Sequence, residues 1–92
     1  MTATRLERLT MRLQALEPDR LDVIDDSRHH AGHAGAADGR GHFSLLVVSK
    51  RFAGLGTLHR HRLVYEAVGD LMTTDIHALS IHALAPGEPL PH

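Results

Sequence analysis

The sequence predicts an α+β fold of two layers, with one three-stranded sheet and helices on one face. Three observations carry this: a leucine stripe of helical period near the start, separate runs of strand character, and a second helical stripe before the last of those runs. Thr4-Arg5-Leu6-Glu7 reads as a capping box, in which hydroxyl and carboxylate satisfy free backbone amides. Leu6, Leu9, Leu13 and Leu16 then mark one helix face, and Pro18 ends the helix by pushing its predecessor out of helical geometry. Residues 20–25 form a short half-exposed strand with Leu21 and Val23 on one face. Residues 26–41 hold four Gly, four Ala and three His without periodicity, and read as a loop. Residues 42–49 are a strand with Phe43, Leu45 and Val47 inward, expected to pair antiparallel with the first.

A turn over residues 50–56 carries Phe52, and Thr57 is the expected cap of a second helix. Its inward stripe is predicted as His61, Val64, Tyr65, Val68, Leu71 and Met72, weakened at its end by Gly69 and the Thr73-Thr74-Asp75 cluster. The last strand, residues 76–84, is expected to put His77, Leu79, Ile81 and Ala83 on one face. Residues 1–85 then make one domain, and the proline-rich residues 86–92 a disordered tail.

With 92 residues there is room for a single modest core, and at 3% aromatic content that core is aliphatic. A formal charge of -1 lacks the basic excess typical of nucleic-acid binders. No run reaches the roughly 20 apolar residues of a membrane span, and the N-terminus lacks a secretory pattern, so a cytoplasmic location is expected. The chain has no cysteine, which excludes a disulfide framework, a thiol nucleophile and a CxxC metal site. Nine histidines are the conspicuous feature of its composition.

His29, His30 and His33 share the glycine-rich loop, where no core needs them. Imidazole is a common metal ligand, but a polar surface loop explains this composition equally well. His77, where the last strand begins, is the natural second ligand, although a half-buried histidine bonded to a carbonyl is the commoner case. Arg60 and Arg62 are expected to point outward around a packed His61. With Lys50, Arg51 and Arg5 they make either a basic patch for nucleic acid or a partner, or an ordinary solvated face. Gly54-Leu55-Gly56 lacks the remainder of a phosphate loop. Ser49 and Ser80 show no base-and-orienter spacing, and adjacent Asp25 and Asp26 would point to opposite faces, so a binding module is expected rather than an enzyme.

The chain resembles the BolA family. The matching pieces are Asp25-Asp26-Ser27, Gly32-His33-Ala34-Gly35, His42-Phe43, Val48-Ser49, Phe52-Ala53-Gly54, Arg60-His61-Arg62-Leu63-Val64-Tyr65 and Ile76-His77-Ala78-Leu79-Ser80-Ile81. The resemblance implies an α-β-β-α-α-β order like class II KH domains, with a mixed sheet whose third strand runs parallel to the first. It further implies partnership with a monothiol glutaredoxin. The partner and glutathione would supply thiolates, and this chain nitrogen ligands, to a bridging [2Fe-2S] cluster used in iron–sulfur cluster trafficking or iron and redox sensing. Isolated, the chain would carry no cofactor and be a monomer. The family's ligand histidine maps onto His77, and the variable loop ligand onto His33 or else His30. The alternative implied by the family is a DNA-binding transcriptional regulator of stress response and cell shape, acting through the basic second helix. Protein binding with idle histidines is a third reading.

Overall fold

The computed structural model describes residues 3–26 and 41–91. Helix α1 (Arg5–Leu13) passes into a 3-10 turn at Gln14–Leu16, and strand β1 (Arg20–Asp25) follows. Strand β2 (Gly41–Val48), a 3-10 turn at Lys50–Phe52, helix α2 (Thr57–Val68), the one-turn α3 (Leu71–Thr74) and strand β3 (Ile76–Leu84) complete the order.

The local signals act as the residue types require. The Glu7 amide donates to Thr4 Oγ1 at 3.1 Å and the Thr4 amide donates to Glu7 Oε1 at 3.2 Å, closing the capping box. Hydrogen bonding to the Thr4 amide, and then to the Thr4 side chain, holds the Glu7 carboxyl below its ordinary value. Leu9, Leu13 and Leu16 are buried, while Leu6 is 38% exposed. Glu17, which Pro18 keeps out of the right-handed helical region, takes a left-handed conformation (φ 51°, ψ 55°) in place of the usual extended one and turns the chain toward β1.

Strand β2 holds the centre of the sheet, antiparallel to β1 and parallel to β3. The expectation of a third strand parallel to the first is thereby corrected, because β3 runs antiparallel to β1. The two helices of the crossover return the chain to the end where β2 began, so β3 must enter in the direction of β2. One face of the sheet packs Phe43, Leu45, Val47 and Ile76 against Leu9, Leu13, Phe52, Val64, Val68 and Leu71. Leu21, Val23, Leu79 and Ile81 flank this cluster. Phe43 and Phe52 are at most 2% exposed, each contributing about 1.5–3 kcal/mol by burial. On the other face, Ile24, Ser80 and His82 are exposed.

Helix α2 departs from its predicted boundaries. Gly56, not Thr57, is its N-cap, and Tyr65 lies 42% exposed beside a buried pair, Val64 and Val68. The helix stops at Gly69 (φ 60°), so Leu71 reaches the core from a separate helix and the single stripe drawn through Tyr65 does not form. A Cβ at Gly69 would meet Arg12 Nη1 at 3.0 Å. That arginine donates to Val68 O at 3.0 Å and to Asp70 at 2.9 Å, tying α1 to the end of α2.

After β3 the chain turns back on itself. The Glu88 amide donates to Ala85 O at 3.1 Å, and the Glu88 carboxylate accepts from the Ala85 amide at 2.8 Å. The tail expected from residue 86 therefore begins as a turn held against the fold.

Candidate metal centre

The geometry around His77 depends on one extra residue. Gly41 stands opposite Ile76, but His42 stands opposite Ala78, so the register shifts by one at His77. This bulge breaks the strict alternation of a strand and re-aims one side chain. Ile76 is fully buried, and Leu79 and Ile81 pack against the same core, although regular pairing would place residues 76 and 79 on opposite faces. His77 was expected on the face of Leu79 and Ile81, and it is exposed instead. The reason is a contest for one buried position. Regular pairing through Phe43 and Leu79 would set His77 opposite Gly41 in the core and expel Ile76. Burying isoleucine is favourable by about 1.5–3 kcal/mol, whereas burying an imidazole costs free energy unless hydrogen bonds replace those to water.

The bulge brings His77 to His42. Their ring centroids are 5.0 Å apart with planes tilted by 43°. Two imidazoles bound side by side to one metal, with metal–nitrogen bonds of about 2.1 Å, have centroids roughly 4.5–5 Å apart, a spacing the pair matches, as does simple ring packing. His42 was missed as a site residue. Its outward direction followed from the alternation that buries Phe43, Leu45 and Val47; its approach to His77 did not.

The remaining histidines named from the sequence, His30 and His33, lie outside the described residues. The segment that carries them leaves and rejoins the fold at this end of the sheet. The Asp26 amide donates to His42 O at 2.8 Å, and the Gly41 amide donates to Asp75 O at 2.9 Å. Asp26 also accepts a hydrogen bond from Ser44. Among the described residues no group of three or more His, Cys, Asp or Glu side chains could hold a metal ion. Without cysteine, the chain offers imidazoles as its nitrogen donors here and no thiolate. That donor set fits one iron of a cluster whose sulfur ligands come from another molecule, and does not fit a self-contained four-thiolate site.

The basic residues are not brought together as a patch. Arg60 was expected outward but is only 14% exposed along its side chain. Its Nε donates to Leu55 O at 2.7 Å, Nη1 to Ala83 O at 3.0 Å, and both terminal nitrogens clasp Glu88 at 2.6 and 2.9 Å. The hydrogen bond to Glu88 raises the Arg60 pKa further. Lys50 and Arg51 share a shallow notch with Glu17, Asp19 and Ser49, and Arg51 donates to Ala15 O at 2.8 Å. Arg62 is exposed on α2, and Arg5 turns to Asp75 at 3.6 Å. Ser49 is fully buried and donates to Leu16 O at 2.6 Å, which makes it a structural tie.

A family model described as BolA-like protein matches residues 13–88. The chain belongs to the BolA family. It is similar to BolA1 from Arabidopsis thaliana, whose solved structure superposes with a TM-score of 0.80 at 37% identity, covering 97% of this chain and 100% of that one. The BolA domain of SufE1 from the same plant gives a TM-score of 0.81 at 38% identity, with 97% and 100% covered. The Escherichia coli protein named DNA-binding transcriptional regulator BolA is 38% identical over 77 residues, covering 83% of this chain and 70% of its own length. The chain spans 55% of the full Arabidopsis BOLA1 protein and 21% of SufE-like protein 1, and both names carry a chloroplast location. Among the described residues, no helix is long and apolar enough to cross a membrane. Within the BolA fold the histidine pair thus occupies the N-terminal end of β3, and the Arg60 clasp its C-terminal end.

Proposed function

We propose that this BolA-family chain is an accessory protein that binds a monothiol glutaredoxin and co-ligates a bridging [2Fe-2S] cluster through its histidines. The role is cluster trafficking or iron and redox sensing in the cytoplasm. The observation that supports it is the bulge that turns His77 out beside His42 in a chain with no thiolate ligand of its own. His77 is the anchoring ligand. The second nitrogen comes from the adjoining loop, from His33 or else His30, and His42 is the further candidate added by the geometry. When bound, the cluster supplies one-electron chemistry. Imidazole ligation raises its potential and makes its retention sensitive to protonation.

The test is reconstitution of the cluster in a mixture of this chain, a monothiol glutaredoxin and glutathione, followed by visible absorption and circular dichroism. The glutaredoxin alone provides the reference spectrum. The expected result is a spectrum distinct from that reference, lost in His77→Ala and altered by only one of His30→Ala, His33→Ala or His42→Ala. A mixture whose spectrum matches the reference, or one indifferent to His77→Ala, refutes the reading.

A second reading, DNA binding, is favoured by the name of the Escherichia coli relative. In this chain it would rest on Lys50, Arg51 and Arg62, since Arg60 is engaged with Glu88. Phosphate contacts give a steep loss of affinity with added salt, and Arg62→Ala should flatten that slope by about one unit. A slope unchanged in that variant removes Arg62 from the interface.

A further inference from the structure

The bulge at His77 needs something to hold it, because a register shift in a parallel pair gives up regular ladder hydrogen bonds. Its inner side is anchored by Ile76, which is fully buried. Its other anchor is Asp75, immediately before β3. The Asp75 carbonyl accepts the Gly41 amide at 2.9 Å, the ladder position just before the shift, while its own amide donates to Leu71 O at 2.9 Å. The backbone of Asp75 thus joins the end of α3 to the start of β2. Its side chain, 14% exposed, is clasped from the opposite direction by α1: Arg8 makes an ion pair with it, and Arg5 Nε lies 3.6 Å away. Thr74 Oγ1 completes the set, donating to Asp75 at 2.6 Å. Arg8 is itself oriented by a second bond, from its Nη1 to Ala3 O at 2.7 Å.

From this arrangement we infer that Asp75 is a positioning residue for His77, and that the arginine face of α1 sets the aim of the ligand histidine through it. Arg8 fixes Asp75, Asp75 fixes the hydrogen bond to Gly41, and that bond fixes where the extra residue falls. Were Asp75 free to shift, the pairing could relax toward the regular register, in which His77 faces inward and loses His42. The link to ligation rests on the reading of His77 as a metal ligand; the link to ring orientation does not. Arg12 provides an internal control. It belongs to the same helix and makes the same kind of tie, to Asp70 and Val68 O, but touches nothing at the bulge.

The experiment uses the full chain in two states. In the isolated, isotope-labelled protein, imidazole nitrogen correlations and the His42–His77 ring contact are recorded by NMR for Asp75→Asn, Arg8→Ala, Arg8→Lys and Arg12→Ala, with chemical-denaturant stability measured beside them. In the complex with a monothiol glutaredoxin and glutathione, cluster retention is measured for the same set. Asp75→Asn and Arg8→Ala are expected to weaken the ring contact, shift the His77 resonances and lower cluster retention about tenfold, the scale on which outer partners of metal ligands act. Arg8→Lys should restore much of both, and Arg12→Ala should lower stability without moving the histidines. Ring contacts unchanged in Asp75→Asn and Arg8→Ala overturn the inference, as does an equal loss in Arg12→Ala. If the rings move as stated while no variant and no wild-type complex binds a cluster, positioning stands and the cluster reading alone fails.

Discussion

The two ends of β3 are held by opposite means. At its C-terminal end Arg60 spends its donors on Leu55 O, Ala83 O and both oxygens of Glu88, and Glu88 caps the Ala85 amide. These polar groups find their partners within the molecule, and the free edge of the strand is plugged by a guanidinium, a common defence against unwanted strand pairing. At its N-terminal end the ladder is interrupted, and two imidazoles are turned outward on a sheet end that the core does not need. Internal satisfaction marks the first end as structural. The second keeps a local irregularity whose product is a close pair of imidazoles, His77 exposed and His42 half-buried, and that is where function is expected to sit.

This contrast can be broken by mutation, and the largest effect belongs to neither end. Phe43→Ala empties a position that is 2% exposed beneath the bulge and should cost roughly 3–5 kcal/mol in a denaturant titration, weakening both ends together. Arg60→Ala comes next, with a smaller fall in the denaturant midpoint expected from loss of charge-assisted hydrogen bonds, which leaves Glu88 only the Ala85 amide. Its sharper signature is selectivity. The His42–His77 ring contact should persist in that variant, and its loss would show that the two ends are coupled rather than separate.

A smaller, pH-dependent effect isolates the clasp. Hydrogen bonding to Arg60, and then to the Ala85 amide, lowers the Glu88 pKa from the ordinary 4.5 to about 2. The folded value lies below the unfolded one, so the stabilisation is complete above about pH 4.5 and is lost as pH falls toward 2. Glu88→Gln should remove that part of the acid dependence in thermal melts recorded between pH 5 and 2. Equal slopes with and without the carboxylate would mean that the clasp does not persist in solution.

The smallest stability change is expected at His77, the proposed anchoring ligand. His77→Ala should alter unfolding free energy by no more than about 0.5 kcal/mol, as for exposed sites generally, while abolishing the cluster spectrum of the glutaredoxin complex. A loss of several kcal/mol in that variant would instead make His77 a structural residue and erase the distinction between the two ends.

Much of this molecule is legible along the chain, because the signals involved are local. The capping box at Thr4 and Glu7, the leucines of α1, the break before Pro18 and the inward alternation of Phe43, Leu45 and Val47 each depend on neighbours a few residues away. From these the α+β class, the element order and the core of the sheet follow, and composition alone shows that the chain has no thiolate. Packing decided the rest. The direction of β3, the exposure of Tyr65, the capture of Arg60 by a glutamate 28 residues later and the meeting of His42 with His77 are choices between distant partners. Periodicity cannot contain a one-residue register shift, since both registers are compatible with the same local pattern. Burial of Ile76 against the assembled core, with the Gly41 amide tied to Asp75 O beside it, selects between them, and that selection is what carries His77 to the surface.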